Sequence, residues 1–302
     1  MSILVVGSVA YDDLETPHGK KQNALGGTAV NFSAAASFFT PIHIIGVAGY
    51  DFDNAHIEFL NSKGVDTSGL KIDKSGKTFR WVGKYHDDIN KRETLDTQLG
   101  VFENFDPQLS TYHSERPFLF LGGIHPALQL KVLNQMKEPK LIAMDTWLLW
   151  IETTRNELQQ VIERSDMIFL NDEEAQKLTG EMNVTKAAKK IMTWGPEIVI
   201  IKRGEYGALL YTGDTVFVTP GFPLAKVIDP TGAGDTFAGG FLGYLAKKDS
   251  LDITTLKLAM VYGSTMASFN VEDFSFDRLR TLTWPDIDSR MRDFKALSHF
   301  EL

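Results

Sequence analysis

The stretch DPTGAGDTFAGGF, residues 229–241, sets a turn, three small residues and a carboxylate ahead of an apolar run. Asp229-Pro230 marks the turn. Glycine costs backbone entropy and aspartate is a poor helix former, so stability alone would not select this pattern. Gly232, Ala233 and Gly234 leave the backbone open, and FAGGFLGYLAK continues as a helix. Successive N–H groups at a helix start form an anion hole, assisted by the helix dipole. Asp235 falls in the first turn beside that hole. A carboxylate next to an anion site is unfavourable unless the chemistry uses it. Phosphoryl transfer does: N–H groups stabilise charge on the moving group while a carboxylate accepts the attacking hydroxyl's proton. An N-capping aspartate after a glycine turn fits the same spacing, so the stretch alone leaves both readings open.

Outward from this stretch, apolar strand-like runs alternate with helix-like segments. ILVVG (3–7), IHIIGVAG (42–49), PFLFLGG (117–123), LIAMD (141–145), MIFLN (167–171), EIVIIKRG (197–204) and GALLYTG (207–213) read as strands. TAVNFSAAASFF (28–39), FDNAHIEFLNSKG (52–64), ALQLKVLNQMK (127–137), a segment near 151–164, DEEAQKLTG and two segments near 235–247 and 253–269 read as helices. This alternation predicts an α/β fold with a mostly parallel sheet covered on both faces. Two regions break the pattern. Residues 11–25 are polar and turn-rich, and residues 72–112 lack a helical period. Within the second, TFRWVGKYH puts Phe79, Trp81 and Tyr85 on one face at period two. Both regions read as a small β-rich lid on a single domain spanning 1–302; a structural sheet edge with an aromatic cover is the alternative.

The bulk composition narrows the function. The 302 residues carry a formal net charge of −8, which argues against a nucleic-acid or anionic-membrane partner. It does not argue against a small anion such as ATP. There is no cysteine, which removes disulfides, thiolate metal sites and a cysteine nucleophile. The start, MSILVVGSVAYDD, lacks a basic n-region, and no stretch reaches the roughly 18 apolar residues of a membrane span. The expectation is a cytoplasmic protein. SGKT (75–78) ends like a phosphate-binding Walker loop, but Lys71 stands where that motif needs glycine, and a strand-like run follows instead of a helix. After the first strand GSVAYDD has one glycine, not the dinucleotide-binding G-x-G-x-x-G, which counts against an oxidoreductase.

DPTGAGDTFAGGF resembles the C-terminal signature of the ribokinase/PfkB family of small-molecule kinases. LGGTAVNFSAAASFF (25–39) resembles its N-terminal signature, with Asn31 four residues after the second glycine. VVGSVAYDD resembles the first strand, with an aspartate five residues after glycine, and GVAGYDFDN (46–54) the following G-x-D segment. NDEE (171–174) fits the N-x-x-E motif, and KRGEYGALL (202–210) the later phosphate-side strand pair. The elements occur in family order and cover nearly the whole chain. The resemblance implies a ribokinase-like three-layer sandwich and an ATP-dependent kinase acting on a primary hydroxyl of a sugar or nucleoside.

It also implies roles. Asp235 would be the catalytic base, and Gly232, Ala233 and Gly234 the anion hole. Asp12 would hydrogen-bond substrate hydroxyls, Gly26 and Gly27 would let the backbone approach the substrate, and Asn31 would add an amide contact. Asn171 and Glu174 would hold Mg2+ mainly through water, while Lys202 and Gly204 would face the nucleotide phosphates together with Asn171. Asp229 and Thr231 match positions that bind a monovalent cation such as K+ in some relatives. Bland alternatives stand beside these: Asn171 as a helix N-cap with Glu174 completing a capping box, Lys202 as a surface charge, Asp12 or Asp13 as a solvated turn. Asp145, in MDTW at another strand end, is a weaker candidate and is left out. Thr40 replaces a glycine common among relatives. Ala10 replaces a polar residue that ribokinases use on ribose, which disfavours a strict ribokinase. A non-catalytic sensor on the same fold is the rival function, although such copies are expected to lose the aspartate or the glycines. A lid strand edge offers a route to a homodimer.

Overall fold

The computed structural model describes residues 1–89, 91–299 and 301. The first strand, β1 (Ile3–Val6), is buried at all four positions. Ile3 and Val5 enter one apolar core, and Leu4 and Val6 enter another on the opposite face, as the period of two requires. A strand apolar on both faces must be covered on both. Helices Thr28–Ala36, Ala233–Lys248 and Ile253–Asn270 cover the first face. Helices Pro126–Leu133, Arg155–Glu163, Asp172–Thr179 and Val184–Met192 cover the second.

The remaining strands are β2 (Ala10–Thr16), β3 (Gly19–Gly26), β4 (Ile42–Gly49), β5 (Val65–Asp73), β6 (Phe79–Tyr85), β7 (Arg92–Gln98), β8 (Phe118–Leu121), β9 (Leu141–Asp145), β10 (Met167–Asn171), β11 (Ile198–Lys202), β12 (Ala208–Thr212) and β13 (Thr215–Thr219). Nine of the strands form one sheet in the order β13-β12-β11-β10-β9-β8-β1-β4-β5. Every neighbour pair from β11 to β5 is parallel, and β12 and β13 add an antiparallel edge. The strand order reverses between β8 and β1, and at such a switch point the crevice outside the strands' C-terminal ends is the natural ligand site.

The second sheet has four strands, in the order β3-β2-β6-β7. Its strands span 10–26, one residue beyond 11–25 at each end, and 79–98, inside 72–112; position 90 lies outside the described residues. Residues 72–73 instead close β5 of the large sheet, and Val101 and Phe105 are buried in that sheet's second core. The SGKT segment is a turn leading into β6. Thr78 donates from its N and Oγ1 to Asp51 Oδ1, both at 2.7 Å.

Candidate active site

Three neighbouring parallel strands end together. Asp145 closes β9, Asn171 closes β10 and Lys202 closes β11, with Asn171 and Lys202 register partners. Lys202 Nζ donates to Asp145 Oδ2 at 2.6 Å, with only 16% and 6% of the two side chains exposed. Burial works against the lysine's charge, and the Asp145, Glu174 and Asp235 carboxylates outweigh it, so its pKa is raised. Lys202 is therefore not a surface charge. Asn171 caps the following helix: its Oδ1 accepts Glu174 N–H at 2.8 Å, and Glu174 Oε2 accepts Asn171 N–H at 2.8 Å. The other Glu174 oxygen has no partner among the described residues. Burial and the Asp145 carboxylate push the Glu174 carboxyl up to about 7.

The Ala233–Lys248 helix begins over the same strand ends. Its N-cap, Gly232, is left-handed at φ 73°, and no side chain caps it. A Cβ there would also lie 2.3 Å from Asn31 Nδ2, so only glycine fits between the turn and the Thr28–Ala36 helix. A Cβ on Gly234 would lie 3.0 Å from Lys202 Nζ, which places the ammonium against the helix start. Ala233 N–H donates to Pro230 O at 3.3 Å; the N–H groups of Gly234 and Asp235 have no acceptor among the described residues. The Asp235 carboxyl also has no hydrogen-bond partner among them. It keeps solvent access, yet burial and the Asp145 charge push it up to about 7 against the pull of Lys202 and Arg92.

Across the cleft, Asp12 is 6% exposed, and its carboxyl makes no protein hydrogen bond among the described residues. Burial, then Asp229, Asp235 and Asp13, push its carboxyl up to about 8, with Arg80 opposing. Asp13 is occupied elsewhere, pairing with Arg80 at 2.7 Å and accepting Asn23 N–H at 2.8 Å. A Cβ on Gly26 would fall 2.1 Å from Asp12 Oδ2, which fixes the glycine beneath that carboxylate. Asn31 Oδ1 is buried without a partner among the described residues. Trp81 of β6 is the register partner of Asp12 on β2, so the two side chains stand on one face of the small sheet. The Trp81 ring lies over Gly83, where a Cβ would come within 2.0 Å of Cη2, and its Nε1 donates to Thr94 Oγ1 at 3.2 Å. The Arg92 guanidinium sits 5.9 Å from the indole centroid.

Asp229 and Thr231 serve the turn. The two Asp229 oxygens accept Thr231 N–H at 2.9 Å and Ser275 N–H at 2.8 Å. Thr231 Oγ1 donates to Tyr85 Oη at 3.1 Å, tying the small sheet to the helix start. Gly204 opens a short 3₁₀ turn directly after β11, at φ 52°. Two residues that the sequence leaves out join the site. Asp145 had only a strand-end position to mark it, and Arg92 lies in a wholly exposed strand with no periodicity to mark it.

Residues 2–275 match the model of the pfkB family of carbohydrate kinases. A cytidine kinase of Thermococcus kodakarensis is 32% identical over 253 residues, covering 81% of this chain and 88% of that protein. A nucleoside kinase of Methanocaldococcus jannaschii is 24% identical over 233 residues, covering 76% of this chain and 72% of that protein. The crystal structure of a Methanocaldococcus jannaschii nucleoside kinase, described as an archaeal member of the ribokinase family, superposes with a TM-score of 0.77 at 22% identity, covering 97% of this chain and 98% of that one.

Proposed function

The chain belongs to the pfkB family of carbohydrate kinases, and on that premise we propose that its acceptor is a nucleoside, phosphorylated by ATP on its primary hydroxyl. That it is a kinase of a sugar or nucleoside follows from the family and from the named relatives. The choice of nucleoside rests on one observation: Trp81 and Asp12 share a face of the small sheet. A carboxylate suits ribose hydroxyls, and an indole beside it suits the face of a base. The likeness to a cytidine kinase supports this choice and makes cytidine the first nucleoside to try.

In this reading Asp235 accepts the proton of the primary hydroxyl as that oxygen attacks the γ-phosphorus. The N–H groups of Gly234 and Asp235 point at the charge that develops on the transferred group, and Lys202 adds its ammonium. Gly204 flanks the nucleotide side, and Asn31 reaches the substrate from the first turn of the Thr28–Ala36 helix, behind the Gly26-Gly27 approach. Glu174 is a buried residue beside the Asp145 carboxylate and keeps one oxygen outside the capping box, a donor that fits a hard cation held through water, so Glu174 with Asn171 would hold Mg2+. That ion would neutralise charge on the ATP phosphates. Asp229 and Thr231 are the residues that would hold a monovalent cation such as K+, while their side chains brace the turn, Ser275 and Tyr85. The exposed β7 edge, with Leu95 52% exposed, is where a second copy would pair in a homodimer.

The test measures ADP formation with cytidine, other nucleosides, ribose and fructose. Turnover is expected with a nucleoside and not with its free sugar. Trp81→Ala should raise the nucleoside KM by about 5- to 150-fold, the value of roughly 1–3 kcal/mol of base stacking. Turnover of a free sugar that is indifferent to Trp81→Ala contradicts the nucleoside assignment. ATP binding without turnover of any acceptor favours the sensor.

A further inference from the structure

At the opposite end of the large sheet, three side chains from three elements converge. His43 is the second residue of β4, Asp66 the second of β5, and His113 lies in the short helix Thr111–Ser114. One ligand-capable atom from each lies within 4.8 Å of the other two. His43 Nδ1 is 3.0 Å from Asp66 Oδ2. Both histidines are buried, at 5% and 6% exposure, whereas the Asp66 side chain keeps 32% of its surface. None of the three serves the phosphoryl-transfer site, because His43 and Asp66 stand at the N-terminal ends of their strands.

We propose that His43, Asp66 and His113 form a zinc-binding site that clamps the Thr111–Ser114 segment to the β4–β5 edge. The donor set carries the choice of metal. Two imidazole nitrogens and one carboxylate oxygen suit Zn2+, whereas Mg2+ and Ca2+ prefer oxygen alone. Three protein ligands leave a fourth position for water, which the exposed side of Asp66 admits. Ser68 Oγ, 3.4 Å from His113 Nε2, borders that position.

Neighbouring groups orient the ligands as a metal site requires. His113 Nδ1 is 3.0 Å from Ser110 Oγ; donating there, it turns the Nε2 lone pair toward the cluster. Ser68 N–H donates to Asp66 Oδ1 at 2.8 Å and leaves Oδ2 facing inward. Tyr112 packs edge-on to both histidines, with centroids 5.3 and 5.5 Å away, and Arg116 covers its outer side. Binding needs no redox partner. The His43 proton moves from Nδ1 to Nε2, and the ion takes its place between Nδ1 and Asp66 Oδ2.

The experiment uses the full chain, stripped with chelator and kept free of nucleotide and Mg2+. It is titrated with Zn2+ by calorimetry and with Co2+ by visible absorption. One ion per chain is expected, with the intense Co2+ spectrum of a four- or five-coordinate site and a Zn2+-dependent rise in melting temperature. His113→Gln and Asp66→Asn should each weaken Zn2+ by more than about 100-fold. Ser110→Ala should weaken it about 10-fold, in the range for groups that orient a ligand. Asp235→Asn and His125→Gln should keep full affinity. If the ligand variants do not fold, nitrogen NMR of the wild-type rings decides: Zn2+ must shift the His43 and His113 signals together. No stoichiometric uptake, uptake retained in both ligand variants, or unshifted rings overturns the site and leaves the three residues as a hydrogen-bonded cluster.

Discussion

Asp12, Asp235 and Glu174 share a feature unusual for carboxyls: burial, aided by Asp229 at Asp12 and by Asp145 at the other two, raises them to about 8, 7 and 7. Each lies above its unfolded value, so between about pH 4 and pH 8 these three groups hold more protons in the folded chain than in the unfolded one. Their stabilising contribution is complete below the unfolded pKa and is lost as pH rises through the folded pKa. Exposed carboxyls such as Asp252, held at about 2 by hydrogen bonds from Ser250 and Thr255, have finished titrating above pH 5. Without ligands, the melting temperature should therefore fall from pH 5 to pH 8, and Asp12→Asn should flatten that slope. The same arithmetic applies to turnover. With Asp235 as the base, kcat/KM should rise through about pH 7 as the carboxyl ionises. Asp145→Asn is expected to cost about 3 kcal/mol of stability and to raise the KM for ATP, because it strands the buried Lys202 charge. Unfolding in denaturant and ATP kinetics check both parts. Asp12, Asn31 and Asp235 were legible because glycines mark their surroundings at fixed spacing. Asp145 and Trp81's pairing with Asp12 were not, since each depends on strands adjacent in space and distant in sequence.

Among the elements, the Ala233–Lys248 helix depends most on one backbone conformation. Gly232→Ala would force a left-handed φ on an L residue and drive a methyl into the Asn31 amide. The expected result is a loss of about 1–3 kcal/mol and a drop in turnover of tenfold or more, read from denaturant midpoints and steady-state kinetics. The Asp172–Thr179 helix shows that a functional and a structural reading can coexist. N-x-x-E fits both a capping box and the proposed cation-side pair, and the box forms while one oxygen of Glu174 has no partner among the described residues. The buried strands β1, β4, β10 and β11 stood out as continuous apolar runs. β5 and β13 did not, because edge strands alternate with solvent and carry polar residues. The small sheet's strands were visible as a break in the helical pattern, and the 72–112 range ran beyond them because the end of β5 and the short Gly100–Asn104 turn carry no helical period either.

For the whole molecule, the large sheet separates two ends. Its C-terminal edge, the small sheet and the start of the Ala233–Lys248 helix enclose the candidate kinase site, linked by the Thr231–Tyr85 hydrogen bond. Its N-terminal edge carries the His43–Asp66–His113 cluster. Among the described residues no helix is long and apolar enough to cross a membrane. Closing the small sheet over the cleft would exclude water, so that transfer to the acceptor outruns hydrolysis. The most direct measurement follows the phosphoryl group itself, with phosphorus NMR of ATP, Mg2+ and cytidine in the presence of wild-type and Asp235→Asn protein. Wild type should yield ADP and a nucleoside 5′-monophosphate in equal amounts, and Asp235→Asn should bind ATP normally while turning over about 10²–10⁴-fold more slowly. Undiminished transfer by Asp235→Asn, or ADP formed with inorganic phosphate in place of a phosphorylated acceptor, would contradict the assignment of this cleft as a nucleoside kinase site.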